Sequence, residues 1–194
     1  AHGVVAVNVM ASPGAGKTSL ILRTIDALQG RRRVGVIEGD LAGRVDADKV
    51  AETGTSVVQI NTGGGCHLDA PMVRSALPHL LPGGVDVLMI ENVGNLICPA
   101  EFALGTHVKL VVASTPEGHD KPYKYPAMFA AADVVVLNKA DVAAVFDFDF
   151  DFFQRGVRMV NPQAPIFTVA DYGIVGDVRA VLPVMMKGLA KYFK

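Results

Sequence analysis

Residues 11–19 read Ala-Ser-Pro-Gly-Ala-Gly-Lys-Thr-Ser and follow an apolar run that ends at Met10. A glycine-rich turn of this kind lets backbone N–H groups converge on a phosphate. A helix opening at Lys17 adds the positive potential of its N-terminus. Gly14, Ala15, Gly16, Lys17, Thr18 and Ser19 are the expected nucleotide contacts. Lys17 reaches the β- and γ-phosphates, and the Thr18 hydroxyl holds Mg²⁺. The common pattern has glycine where Ala11 stands; alanine fits there if its φ stays negative. Downstream, Asn138-Lys139-Ala140-Asp141 follows a second apolar run. A carboxylate at Asp141 can accept both the N1–H and the 2-amino group of guanine. Adenine lacks that paired donor edge and would leave the acceptor unpaired, so the sequence favours GTP over ATP. Two acidic stretches complete the set, Glu38-Gly39-Asp40 and Glu91-Asn92-Val93-Gly94. Asp40 is placed to position an attacking water, and Glu91 stands where nucleotide switches usually carry an aspartate. Lys17, Asp40 and Glu91 are therefore the expected catalytic residues, and Thr18, Asp40 and Glu91 the expected Mg²⁺ ligands. A helix cap or loop role for either acid is the plainer alternative.

The chain has two cysteines, and one of them, Cys66, follows three glycines and precedes His67. The other, Cys98, lies seven residues after Glu91, within roughly 25 Å of it even on an extended chain. Two thiolates and one imidazole suit Zn²⁺ or Ni²⁺ and leave a position open for water or a second copy of the chain. The same residues could instead be small buried hydrophobes beside a satisfied core histidine. His2 and His119 read as exposed loop histidines, and the seven methionines as core filler.

These groups need a scaffold that brings strand ends together. Apolar runs at 4–10, 34–38, 57–60, 85–90, 108–113, 133–137 and 165–169 are near-continuous rather than alternating, as in a sheet covered on both faces. Helical segments are expected at 17–28, 45–52, 71–81, around 126–132 and at 177–192. Asp69-Ala70-Pro71 supplies a capping carboxylate and a first-turn proline. The expectation is an α/β fold of the P-loop NTPase kind, a doubly wound, mostly parallel sheet of about seven strands flanked by helices. Residues 1–194 read as one such domain, without repeat or linker. Phe-Asp-Phe-Asp-Phe-Asp-Phe-Phe at 146–153 alternates like a half-buried strand, but a crossover is needed before Pro165. An acidic first turn of a helix running to Met159 is the preferred reading.

Composition narrows the partners. The 194 residues are 51% hydrophobic and 19% charged with net charge −1, which argues against nucleic acid. No apolar stretch approaches the roughly 18 residues of a membrane span. No charged-then-apolar leader opens the chain, and two cysteines make no disulfide framework, so a reducing cytoplasm is expected.

The order and content of several segments resemble the HypB GTPases, nickel chaperones of [NiFe]-hydrogenase maturation. The similarity shows in NVMASPGAGKTSL, EGD, GGGCHLDAPMV, IENVGNLICPAEFALG, STPEGHDKPYKYPAMF and VVLNKAD. It implies a slow GTPase (~10⁻⁴–10⁻² s⁻¹ without an activator) that forms a homodimer and carries nickel or zinc at Cys66, His67 and Cys98. It also implies a HypA-like metallochaperone partner and a hydrogenase large subunit as recipient. Asp120 and Lys121 fall in a family motif that could serve the dimer or the nucleotide. The family's guanine-contacting Ser-Ala reads Val169-Ala170 here, so only a backbone contact from Ala170 survives. The cysteine motif or histidine tract of some members does not occur within these residues, and no N-terminal nickel store is expected from them. The segment at 146–153 is foreign to the family. Rival readings are a urease-type accessory GTPase, a P-loop small-molecule kinase, and a nucleotide-gated metal store without turnover.

Overall fold

A computed structural model describes residues 3–170; the expected helix at 177–192 and His2 lie outside them. Within this range the chain alternates strand and helix. The strands are β1 (Val5–Ala11), β2 (Val34–Asp40), β3 (Ser56–Asn61), β4 (Val87–Glu91), β5 (Val108–Ser114), β6 (Val134–Asn138) and β7 (Ile166–Thr168). The helices are α1 (Lys17–Leu28), α2 (Val45–Glu52), α3 (Ala70–Leu80), α4 (Cys98–Glu101), α5 (Lys121–Lys124), α6 (Pro126–Ala130) and α7 (Phe150–Val160).

All seven strands form one sheet in the order β3-β2-β4-β1-β5-β6-β7, and every pairing is parallel. The expected sheet is thus present and wholly parallel. Parallel strands need crossovers, and crossovers place helices on both faces. The continuous apolar runs follow from this. In β4, Val87 and Met89 join the cluster under α1 and α2, while Leu88 and Ile90 join the cluster under α3. A third cluster packs α6 and α7 against β5 and β6. Asp69 caps α3 as expected, its Oδ1 accepting from Met72 N at 2.7 Å.

The parallel arrangement puts all strand ends on one edge. β1 feeds the glycine turn there, β2 ends in Glu38 to Asp40, β4 ends in Glu91, and β6 ends in Asn138. Glu38 and Asn138 lie inside their strands rather than after them, because neighbouring strands extend the ladder to these residues. Among the described residues no helix is long and apolar enough to cross a membrane.

The segment at 146–153 divides. A 3-10 helix ends at Phe146, Asp147 takes a left-handed φ of 48°, and α7 begins at Phe150. Asp149 is its N-cap, with Oδ1 accepting from Phe152 N at 2.8 Å, and Asp151 lies in the first turn, where a carboxylate suits the dipole. The helix reading holds for 150–160. Phe148 and Phe153 are buried, whereas Phe146 and Phe150 are exposed; His119 lies edge-on to Phe148 and its Nδ1 accepts from Asp149 N at 3.1 Å. Phe153, edge-on to Phe129, carries the packing. Phe153→Ala should cost about 3–5 kcal/mol, and Phe150→Ala less than about 1 kcal/mol, in urea unfolding of the two variants.

Candidate nucleotide and metal site

The glycine turn has the geometry of a phosphate cradle. Gly14 and Gly16 adopt φ of 75° and 102°, a region glycine enters without a Cβ penalty, and Gly16 is the N-cap of α1. Ala11 is the last residue of β1 and fully buried. It receives Asn95 N on its carbonyl at 2.8 Å. The turn is braced from outside. Asn138 Nδ2 donates to Ala15 O at 3.0 Å, and Lys139 Nζ to Gly14 O at 2.7 Å. Ser12 Oγ donates to Glu117 Oε1, while Glu117 Oε2 accepts from Ser114 N and Oγ at 2.9 and 2.6 Å. Asn138 and Lys139 therefore brace the cradle, while Asp141 lies exposed in the next turn. Ala140 N donates to Val169 O at 3.1 Å, which brings Ala170 beside that turn.

At the other side of the cradle sit buried carboxylates. Glu38 and Glu91 are register neighbours on β2 and β4, each 3% exposed. Thr18 Oγ1 donates to Glu91 Oε1 at 3.0 Å, and Lys17 Nζ lies 3.8 Å from the same oxygen. Glu38 Oε2 and Glu91 Oε2 have no hydrogen-bond partner among the described residues. Oxygens of Glu38, Glu91 and Asp46 on α2 lie within 4.8 Å of one another. Orphaned hard oxygens converging beside a threonine hydroxyl fit Mg²⁺. Asp40 stands apart from this trio, its Oδ1 accepting from Ala42 N at 3.2 Å.

The sulfur and imidazole groups do converge. Ligand atoms of Cys66, His67 and Cys98 lie within 4.8 Å of one another, and all three residues are half-buried. The two Sγ atoms are 2.7 Å apart, and Cys66 Sγ is 3.7 Å from His67 Nδ1. His67 stacks on Phe102 with centroids 3.7 Å apart, which fixes the ring. Two asparagines tie these loops to the end of β4. Asn95 Oδ1 accepts from Ile97 N at 2.7 Å and Cys98 N at 3.2 Å. Asn92, 0% exposed, accepts Leu68 N at 3.0 Å and donates to Asn8 Oδ1 at 3.1 Å. The adjacent Cys66 thiol pushes the Cys98 thiol above its ordinary value.

A family model for the CobW/HypB/UreG nucleotide-binding domain matches residues 5–168. The chain belongs to the CobW/HypB/UreG family. Among its relatives, the hydrogenase maturation factor HypB of Rhizobium leguminosarum is 52% identical over 169 residues, covering 87% of this chain and 56% of the relative. The chain thus spans little more than half of that protein. The hydrogenase/urease maturation factor HypB of Helicobacter pylori is 41% identical over 173 residues, 87% of this chain and 71% of the relative. The crystal structure of HypB from Helicobacter pylori in complex with nickel superposes with a TM-score of 0.89 at 37% identity, covering 98% of this chain and 90% of that one.

In this CobW/HypB/UreG domain, three residues of the site escape a reading of residue types. Glu38 and Asp46 join Glu91 only through strand register and the fold of the 41–44 turn. Glu117 could be read from the sequence as a capping-box acid at 114–117, which the structure shows, but not as the partner of Ser12. Burial first, then Glu91, Asp40 and Asp46, pushes Glu38 from 4.5 up to about 8. Burial likewise pushes Glu91 up to about 7, against the pull of Lys17 and Thr18. Between pH 4.5 and about 8 the folded chain keeps protons that the unfolded chain has lost. Stability of the nucleotide-free protein should therefore fall by a few kcal/mol as pH rises through that window and level off above it. Glu38→Gln and Glu91→Gln should each flatten the trend in thermal melts against pH.

Proposed function

We propose that this chain is the GTP-hydrolysing, nickel-carrying part of a hydrogenase maturation factor. The observation that carries the reading is the junction of two chemistries on one segment. Glu91 faces the phosphate cradle, while Asn92 and Asn95, the next polar side chains, hold the loops of His67 and Cys98. The names of the relatives and of the nickel complex support the cargo and the pathway.

The geometry supports the following roles. Backbone N–H groups of Gly14 to Ser19 wrap the phosphates, and Lys17 neutralises charge on the β- and γ-groups. Thr18 with Glu91, Glu38 and Asp46 would hold Mg²⁺, which supplies charge stabilisation at the transferring phosphate when bound. Asp40, half-buried at the end of β2, positions the attacking water through its free carboxylate oxygen. Asp141 selects guanine, and the Ala170 backbone serves the 6-oxo group. Cys66, His67 and Cys98 take nickel, or zinc in its place, as soft and imidazole ligands. A second copy in a homodimer supplies the closing ligand. Binding of GTP then holds the two loops in this joined arrangement, and hydrolysis loosens it. Linkage requires nickel to change nucleotide affinity by the same factor as nucleotide changes nickel affinity, typically 1–3 kcal/mol. In a cytoplasmic setting the donor is a HypA-like metallochaperone and the recipient a hydrogenase large subunit. The hydrogenase/urease name of the Helicobacter pylori relative favours urease as a second client of the same chemistry.

Metal analysis with a non-hydrolysable GTP analogue, combined with mass in solution, tests the reading. Nickel should be retained, and the mass should be that of a dimer. Cys66→Ala should abolish nickel binding with GTP binding intact; loss of both would make the cysteine structural. Asp141→Asn should weaken GTP binding by ~10- to 100-fold, the loss of a charged acceptor, in calorimetric titration.

A further inference from the structure

Leu68 follows directly on Cys66-His67 and is 0% exposed. Its backbone N–H is held by Asn92 Oδ1 at 3.0 Å, one residue beyond Glu91. Its side chain lies against the backbone of Gly39, between Glu38 and Asp40. A Cβ built on Gly39 would sit 2.7 Å from Leu68 Cγ and 2.7 Å from Cδ1, closer than packed carbons approach. The same side chain belongs to the apolar cluster of Ile37 and Ile90, the residues just before Glu38 and Glu91. Leu68 thus touches both carboxylate-bearing strand ends, with its main chain on one and its side chain on the other.

We propose that Leu68 is the positioning residue through which nucleotide state sets the nickel ligands, and that position 39 is glycine so that Leu68 can seat there. The inference rests on the GTP and nickel reading above. Close-packed contacts do not stretch; they switch between discrete arrangements. A small shift of Gly39 or Asn92 between nucleotide states must therefore move Leu68. His67 is bonded to Leu68 and Cys66 comes next, so the ligand loop moves with it. Asp40 O, on the same strand end, accepts Thr62 N at 2.9 Å and steadies the start of that loop.

The test is the ratio of nickel dissociation constants with GDP and with a magnesium-bound, non-hydrolysable GTP analogue. The wild type should show a ratio of at least about fivefold. Gly39→Ala keeps an allowed backbone, since the Gly39 φ lies outside the left-handed range, and the atoms nearest the added methyl are those of the Leu68 side chain. Its ratio should collapse to within about twofold of unity. Leu68→Ala, or the milder Leu68→Val if that variant melts too low, should collapse likewise. The double variant Gly39→Ala with Leu68→Ala, which restores contact between smaller groups, should recover a ratio of about threefold or more. A wild-type ratio of one would overturn the coupled nickel chaperone and this inference together. A coupled wild type whose Gly39→Ala and Leu68→Ala variants stay as coupled would overturn the role of Leu68 alone.

Discussion

One buried amide, the side chain of Asn92, joins parts of the chain that sequence separates widely. It lies at the end of β4, accepts Leu68 N and Val93 N at 3.0 Å each, and donates to Asn8 on β1. A buried amide left half-paired costs free energy, so these bonds constrain all three segments at once. Glu91, one residue before it, faces Lys17 and Thr18 in the cradle. Asn95, three residues after it, fixes Cys98. The phosphate end and the sulfur end therefore share a rigid stretch of five residues, 91–95, rather than communicating through loose loops.

The buried acids set the second constraint. Glu38 and Glu91 face one another from adjacent strands, each with an oxygen unpaired among the described residues. Such a pair is unfavourable when ionised and empty, and becomes favourable only when cations are delivered to it. Polar strain at this edge is compensated by the continuous apolar ladders of β1, β4, β5 and β6 behind it. The scaffold is stiff where it packs and costly where it binds, as expected of a site whose order depends on its ligand.

Much of this was legible in residue order. The glycine turn and the parallel sheet rest on local patterns with a physical mechanism, whereas residue types alone leave Cys66, His67 and Cys98 open between metal ligands and small buried groups, and it is the family resemblance that favours the ligands. Strand period and apolar continuity do not reveal register, however, and register is what pairs Glu38 with Glu91. Nor do they reveal which loop a buried amide will bind, so Asn92 reads as one polar residue among several in ENVGN. The sequence reads Asn138 and Lys139 as a nucleotide-contacting loop, whereas their grip on Ala15 and Gly14 depends on the strand order β1-β5-β6, which residue types do not reveal. At 146–153 the two-residue alternation was deceptive. Burial at 148 and 153 with caps at 149 overrides a period of two, because tertiary packing against Phe129 decides which rings go inward.

The shared hydrogen-bonded stretch is tested most directly by amide hydrogen exchange at Leu68, followed residue by residue with GDP and with a GTP analogue. Leu68 N–H should exchange only on near-global opening, and its protection should change when the γ-phosphate is present. An amide that exchanges as fast as the neighbouring exposed glycines, indifferent to nucleotide, would contradict the account.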